Sequence, residues 1–375
     1  MICRGRAARR PAADGKATGT EVRRVQVGRP DGVSRADPPP ASAPASVTSP
    51  EIAPDVAPSI RPRVVARSSA RPHISIVYST ARAVPRLDWL MDDLSSQCQS
   101  AGDRLELIIV DALGRPAREI GYRDLDPVVR LVETLPKHCP WQGAQRVTSR
   151  DWWAMSNARN TGIALATAPC IVFLDDRCHL GDRFVATIRE WARGVRSRTP
   201  QLPVAVLAGA YEKRELGPDG RPIVTPDGRL VQAPEGRVGC GGDWLYGCAV
   251  AAPLSWLLEV NGFEEGVDGL SGEDYLLGLM LANRGRRIDY VPDLFVSQDR
   301  TSGHDHRMRR TDKGVSPDDK SHAALARFGS RTRTEFTPDL RVLRARIAAG
   351  LGFPGIDPRA DLRDWYDGQP IREMT

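Results

Sequence analysis

Long apolar runs, paired cysteines and a glycine-rich loop after the first strand are all missing from this chain of 375 residues. No stretch reaches the roughly 18 apolar residues that a membrane-spanning helix needs, so no transmembrane segment is read from it. Seven cysteines, at 3, 98, 139, 170, 178, 240 and 248, include no Cys-x-x-Cys pair and make an odd count. That argues against a disulfide framework or a structural zinc site and fits a reducing, cytoplasmic setting. Cys98 and Cys170 lie among apolar residues and read as small core fillers. The basic start, Met1 to Arg10, has the charge of a signal peptide but no apolar segment after it. It also has the Arg- and Ala-rich look of a transit peptide, which Asp14 and Glu21 weaken.

A net charge on the folded part is lacking too. The chain is +6 overall, but residues 1–72 hold 13 Lys and Arg against 6 Asp and Glu, leaving the rest with one surplus negative charge. The basicity belongs to a tail, so it does not call for a nucleic-acid partner. Residues 1–70 are rich in Pro, Ala, Arg and Ser without apolar periodicity and are expected to be disordered.

What is present from residue 71 onward is alternation of strand and helix. His73 to Ser79, Leu105 to Asp111, Val128 to Leu135, Cys170 to Leu174 and Leu202 to Ala208 read as strands. Helices are expected over 86–98, from Ser156 to Thr167 and from Phe184 to Val195, the last with Phe184, Ile188, Trp191 and Ala192 on one side. This order predicts an α/β domain over 71–300 with a mostly parallel central sheet flanked by helices. Residues 214–243 carry two Pro-Asp-Gly turn signals, at 218–220 and 226–228, and read as a mobile insert of one or two hairpins. Residues 301–375 form a partly helical C-terminal extension, with a helix expected from Leu340 to Leu351.

Ligands of parallel sheets gather at the carboxyl ends of the strands. Asp111 and the doublet Asp175-Asp176 both fall there. Two adjacent carboxylates repel unless a cation lies between them and a ligand, an arrangement suited to Mg²⁺ or Mn²⁺ shared with substrate phosphate. The plainer reading is a solvated strand end with Asp176 capping the next turn. A second doublet, Glu273-Asp274, opens a helix about a hundred residues later, where it either complements the helix dipole or acts as a base. Arg159 and Asn160, on the first turn of their helix, are placed to meet phosphate or sugar hydroxyls. Trp244 follows Gly241 and Gly242 and either stacks on a sugar ring or packs in the core, and for the Trp152-Trp153 pair the core is favoured.

The runs Ser156-Asn157-Ala158-Arg159-Asn160-Thr161-Gly162, Ile171 to Asp176, Val260-Asn261-Gly262-Phe263 and Gly272-Glu273-Asp274-Tyr275 resemble, in order and spacing, the family 2 glycosyltransferases. The resemblance covers roughly residues 73–300 and implies the GT-A fold and a nucleotide-sugar donor. It implies that Asp111 reads base or ribose, that Asp175 belongs to the donor motif and that Asp176 holds Mn²⁺ or Mg²⁺. Asp274 would be the catalytic base of inverting transfer, with Glu273 its companion. Some relatives complete the metal shell with a late histidine, a place that His304 takes here unless it lies in a solvated polar loop. Arg177 stands where many relatives have a third acid, and Ser79-Thr80-Ala81-Arg82 departs from the family's first loop. The acceptor expected is a glycan, a lipid-linked sugar or a small molecule, and peripheral membrane association is left open. Those departures also admit a catalytically inactive GT-A-like protein that binds sugar nucleotides or glycans. A nucleotidyltransferase ranks last, because Ser79 to Arg82 lacks the glycines of a phosphate loop.

Overall fold

The computed structural model describes residues 59–66, 69–82, 84–98, 104–112, 128–137, 154–197, 203–233, 236–268, 272–301, 328–334 and 337–354. Its centre is a mixed sheet. The parallel part runs β5 (Val128–Thr134), β4 (Leu105–Asp111), β3 (Ile74–Thr80) and β6 (Cys170–Asp175). Next comes β11 (Ala249–Pro253), antiparallel to both of its neighbours, then β8 (Val206–Leu216) and β12 (Ile288–Asp299), parallel to each other. Four parallel strands followed by a reversed strand and a second parallel pair make the GT-A architecture implied by the sequence.

Alternation along β3 explains why the strand is buried throughout. Ile74, Ile76 and Tyr78 face one core while Val77 faces the other. The first core is covered by α1 (Leu87–Gln97) and α3 (Phe184–Arg196). The four apolar residues picked out on α3 are all buried, and side chains the size of Phe184 and Ile188 contribute about 1.5–3 kcal/mol each. The second core lies under α2 (Met155–Leu165), α4 (Leu254–Glu259), α5 (Glu273–Asn283) and α6 (Leu340–Ala348).

Order begins earlier than the sequence predicts. Residues 63–66, assigned to the tail, form β2 (Arg63–Ala66), which pairs antiparallel with β5. The reason is long-range: Arg63 reaches Glu133 across that edge at 3.4 Å, a partner that no local pattern reveals. The strand expected at Leu202 to Ala208 instead runs on to Leu216 and turns into β9 (Pro222–Pro226). The predicted helix of the C-terminal extension is α6, and its Arg344 donates from Nη1 to the Ile163 and Ala166 carbonyls at 2.7 and 2.6 Å, capping the end of α2.

α2 is buried almost all round, polar residues included, and one of these, Asn160, braces another segment. Asn160 Nδ2 donates to the Phe263 carbonyl at 2.9 Å and to Glu265 Oε1 at 2.8 Å, while its Oδ1 accepts from Phe263 N at 2.8 Å. Asn261, at φ 62°, accepts on Oδ1 from Leu340 N at 2.9 Å, which fixes the start of α6.

Candidate active site

The carboxyl edge of the parallel strands gathers the acidic residues. Thr80, ending β3, pairs in register with Asp111, ending β4; on the other side Ser79 pairs with Asp175, ending β6. The start of β11 also lies at this edge, since Ala249 pairs with Leu174. It therefore brings the preceding loop, Trp244 to Gly247, alongside the first doublet.

Arg159 joins the two doublets. Its Nη2 donates to Asp175 Oδ1 at 2.9 Å and its Nη1 to Glu273 Oε1 at 3.0 Å, with the guanidinium 5.2 Å over the Phe263 ring. The side chain is only 3% exposed. Burial alone would pull its pKa down, yet Asp175, Glu273 and Asp274 together hold it above the ordinary value. The residue expected to meet phosphate or sugar is thus a buried tie between a strand end and a helix start.

Glu273 and Asp274 open α5, whose entry is Gly272 at φ 86°. That left-handed geometry favours glycine. Asp274 Oδ2 accepts from Gly247 N at 2.6 Å and Oδ1 from its neighbour Tyr275 N at 2.8 Å, so the carboxylate is fixed while still partly exposed. Burial, and then the charge of Asp274, push the Glu273 pKa up to about 7 against the pull of Arg159.

Gly247 matters for space as well as for its N–H. A Cβ there would stand inside the Arg159 guanidinium, which two ion pairs prevent from swinging away. Gly247→Ala is therefore predicted to shift the loop away from Arg159, break the contact to Asp274 and depress turnover more than stability. Thermal unfolding measured beside a transfer assay checks this, and unchanged turnover in the variant would refute it.

Asp176 is held differently. Thr80 Oγ1 donates to its Oδ2 and Arg82 Nε to its Oδ1, both at 2.8 Å. Burial raises its pKa, against Arg82 and Thr80, which lower it. Arg177, in the left-handed region at φ 58°, turns back into the fold: its N donates to Tyr78 Oη and its Nε to the Val84 carbonyl, both at 3.1 Å. Asp175 and Asp176 present the carboxylate donors that Mn²⁺ or Mg²⁺ takes, and an oxygen that accepts one hydrogen bond keeps a second lone pair. Both oxygens of Asp176 and one of Asp175 already accept from cationic or hydroxyl donors. Among the described residues no group of three or more His, Cys, Asp or Glu side chains converges to hold a metal. His304 lies outside the described residues, as does the Trp152-Trp153 pair.

Trp244 sits edge-on against Tyr290, ring centroids 5.4 Å apart, and packs against the second core. The exposed aromatic of this loop is Tyr246, 41% exposed and 5.7 Å from the Tyr211 ring. Arg229 lies 4.5 Å from the Tyr246 ring and is clamped by Asp227, with its Nη2 donating to Oδ2 at 2.6 Å. Sequence reasoning missed Tyr246, Gly247 and Arg82. None of them carries a local signal, since each acquires its place from a partner far along the chain.

No family model matches the chain, and no curated protein matches it. Solved structures do share similarity with it. They include S. aureus TarS 1–349 in complex with UDP-GlcNAc, at 15% identity and TM-score 0.46, over 68% of this chain and 64% of that one. The mannosyltransferase PcManGT from Pyrobaculum calidifontis, in complex with GDP-Man and Mn²⁺, matches at 16% identity and TM-score 0.40, over 78% of this chain and 79% of that one. GalNAc-T7 with UDP, GalNAc and Mn²⁺ matches at 11% identity and TM-score 0.43, over 74% and 55%. The chain covers less than two thirds of the TarS fragment's own length. At these levels the likenesses assign no role to any residue. No helix among the described residues is long and apolar enough to cross a membrane.

Proposed function

We propose that this protein transfers a sugar from a nucleotide-diphosphate sugar to an acceptor hydroxyl with inversion at the anomeric carbon. The observation that supports it most is the Arg159 bridge. It brings Asp175, from a strand end, and Glu273, from a helix start, onto one guanidinium at the edge where such sheets bind ligands. Asp274 is then the base. Its carboxylate takes the acceptor proton as the acceptor oxygen bonds to the anomeric carbon. The bond from that carbon to the diphosphate oxygen breaks, and the electron pair leaves with the nucleoside diphosphate. In this reading Asp111, at the end of β4, reads base or ribose, and Asp175 belongs to the donor side of the site. Tyr246 offers an exposed ring face for the acceptor sugar, one residue from the N–H that holds Asp274. The developing charge on the leaving diphosphate needs a cation at the β3–β6 edge.

The pH profile follows from the second doublet. Below about 7 Glu273 retains a proton; above it Glu273 is ionised. Turnover is predicted to rise with pH through about 7, and Glu273→Gln to remove that limb. The stability contribution of Glu273 runs the other way: it is present below the ordinary carboxylate range and is lost as pH rises through about 7. Rates and unfolding midpoints measured between pH 5.5 and 8.5 check both (~3 pH units bracket the transition).

The deciding experiment screens UDP- and GDP-sugars for binding by thermal shift. Hydrolysis and transfer to sugar acceptors are then followed by NMR of the anomeric proton. Formation of one donor's product with inverted configuration supports the proposal. Retained configuration would overturn the direct displacement. Donor binding without hydrolysis or transfer would favour the non-catalytic sugar-nucleotide or glycan binder.

A further inference from the structure

The cations around the outer half of β8 are not equivalent. Arg214 pairs with Glu212 at 2.7 Å, Arg229 with Asp227 at 2.6 Å and Arg300 with Glu215 at 3.4 Å. Lys213, half-buried on the same strand, has no carboxylate partner among the described residues. Its register partners on the two adjoining strands are Thr225 and Gln298, both uncharged. What its ammonium does meet is the Tyr211 ring, with Nζ 4.7 Å from the centroid. Tyr211 in turn lies 5.7 Å from Tyr246, and Tyr246 precedes the Gly247 N–H that holds Asp274. The Arg229 guanidinium lies against both rings, at 5.5 and 4.5 Å. The charges around Cys248 agree with this placement. Burial pushes its thiol up to about 12, Asp175 and Asp274 add to the rise, and Arg229 and Lys213 oppose it. Lys213 thus stands beside the same cleft as the two doublets.

We propose that Lys213 is the anion contact of the acceptor subsite, so that the acceptor is an acidic sugar whose ring lies on Tyr246 and whose phosphate or carboxylate meets the ammonium. The inference rests on the acceptor reading above and deepens it by naming the substrate class. Its basis is the contrast between Lys213 and its neighbours. The three arginines have their charges answered within the fold, while the lysine beside the exposed ring does not. An ammonium partly withdrawn from water gains more from an anion than one in bulk solvent, and a flexible stem lets it follow a substituent of the bound sugar. Tyr211 and Tyr246 supply the apolar faces on which a sugar ring packs, and Asp274 is held next to them.

The test uses the full chain and matched sugars, titrated by saturation-transfer NMR with UDP or GDP present. The pairs are methyl glucoside with methyl glucuronide, methyl galactoside with methyl galacturonide, and glucose with glucose 6-phosphate. The first two read a carboxylate and the third a phosphate. In one pair the acidic member is expected to bind roughly tenfold or more tightly than the neutral one, as a hydrogen bond to a charged group provides, and salt should shrink the difference. Lys213→Met should erase the preference while leaving the neutral sugar and the nucleotide bound as before, and Lys213→Arg should keep most of it. Tyr246→Ala should weaken both members of the pair. Thermal unfolding shows that each variant is folded, and Lys213→Gln carries the test if the methionine variant is not. Equal binding within every pair, or no sugar bound at all, would overturn the inference, as would a preference that survives Lys213→Met. Nucleotide binding weakened by Lys213→Met would overturn it too, by moving the lysine to the donor side. Each of these leaves the donor reading standing so long as UDP or GDP binds. Failure of both nucleotides to bind, with the acid preference intact and lost in Lys213→Met, would instead overturn the donor reading and keep the acidic-sugar site.

Discussion

Replacing Arg159 with methionine is expected to destabilise the protein by about 3–5 kcal/mol, the usual consequence of removing one partner from a buried ionic cluster. The size follows from what is left behind. Asp175 and Glu273 each lose a hydrogen-bonded counter-charge, with Asp274 adjacent to the second. Arg159→Lys is expected to recover little, because one ammonium on a flexible stem does not reproduce a fork that reaches two carboxylates in different directions. The loss should depend on pH. Arg159 lowers the Glu273 pKa, so its removal lets Glu273 keep its proton to higher pH. Methionine should therefore be tolerated better at pH 5.5 than at pH 8 (roughly either side of the transition). Urea unfolding at the two pH values measures this. A variant as stable as the parent at both would sink the account of Arg159 as the tie between the doublets.

Asp274→Asn is expected to lower turnover by ~10²–10⁴-fold, the range assigned to a positioned general base, and to leave nucleotide binding close to the parent. The asparagine is nearly isosteric but not neutral in its contacts. Asp274 accepts from both Gly247 N and Tyr275 N, and an amide has only one oxygen with which to replace two. A stability loss of about 1 kcal/mol should accompany the substitution. Single-turnover transfer, nucleotide calorimetry and thermal unfolding on the same preparation separate the three effects. Retained turnover at near-parental rate excludes Asp274 as the base. Lost nucleotide binding with the fold intact would instead make it a donor ligand.

The alternation of β3, β4 and β6 with α2 and α3 is legible in the sequence because it rests on apolar period, which is local. So is the placement of Asp111, Asp175 and Asp176 at strand ends and of Glu273 and Asp274 at a helix start. The roles of the polar residues between these landmarks are less legible. Asn160 reads as a ligand for phosphate or sugar, yet it braces Phe263, because the nearest unsatisfied backbone groups lie on a turn a hundred residues on (about that separation in sequence).

The two Pro-Asp-Gly signals show the division most directly. At 218–220 the sequence alone determines the outcome: Gly220 takes φ 76° and closes the exposed β8–β9 hairpin, with Gly217 N donating to the Arg221 carbonyl at 2.8 Å. At 226–228 the same three residues bury Asp227 beneath Tyr290 Oη, 3.1 Å away, and pair it with Arg229. Local backbone preference suffices for a turn in solvent. It does not say which turn will meet β12, nor that one arginine will bind both acidic doublets while another pairs with Asp176. Those outcomes were decided by tertiary structure, because a buried charge settles on whichever partner packing brings within hydrogen-bond reach, whatever its distance along the chain.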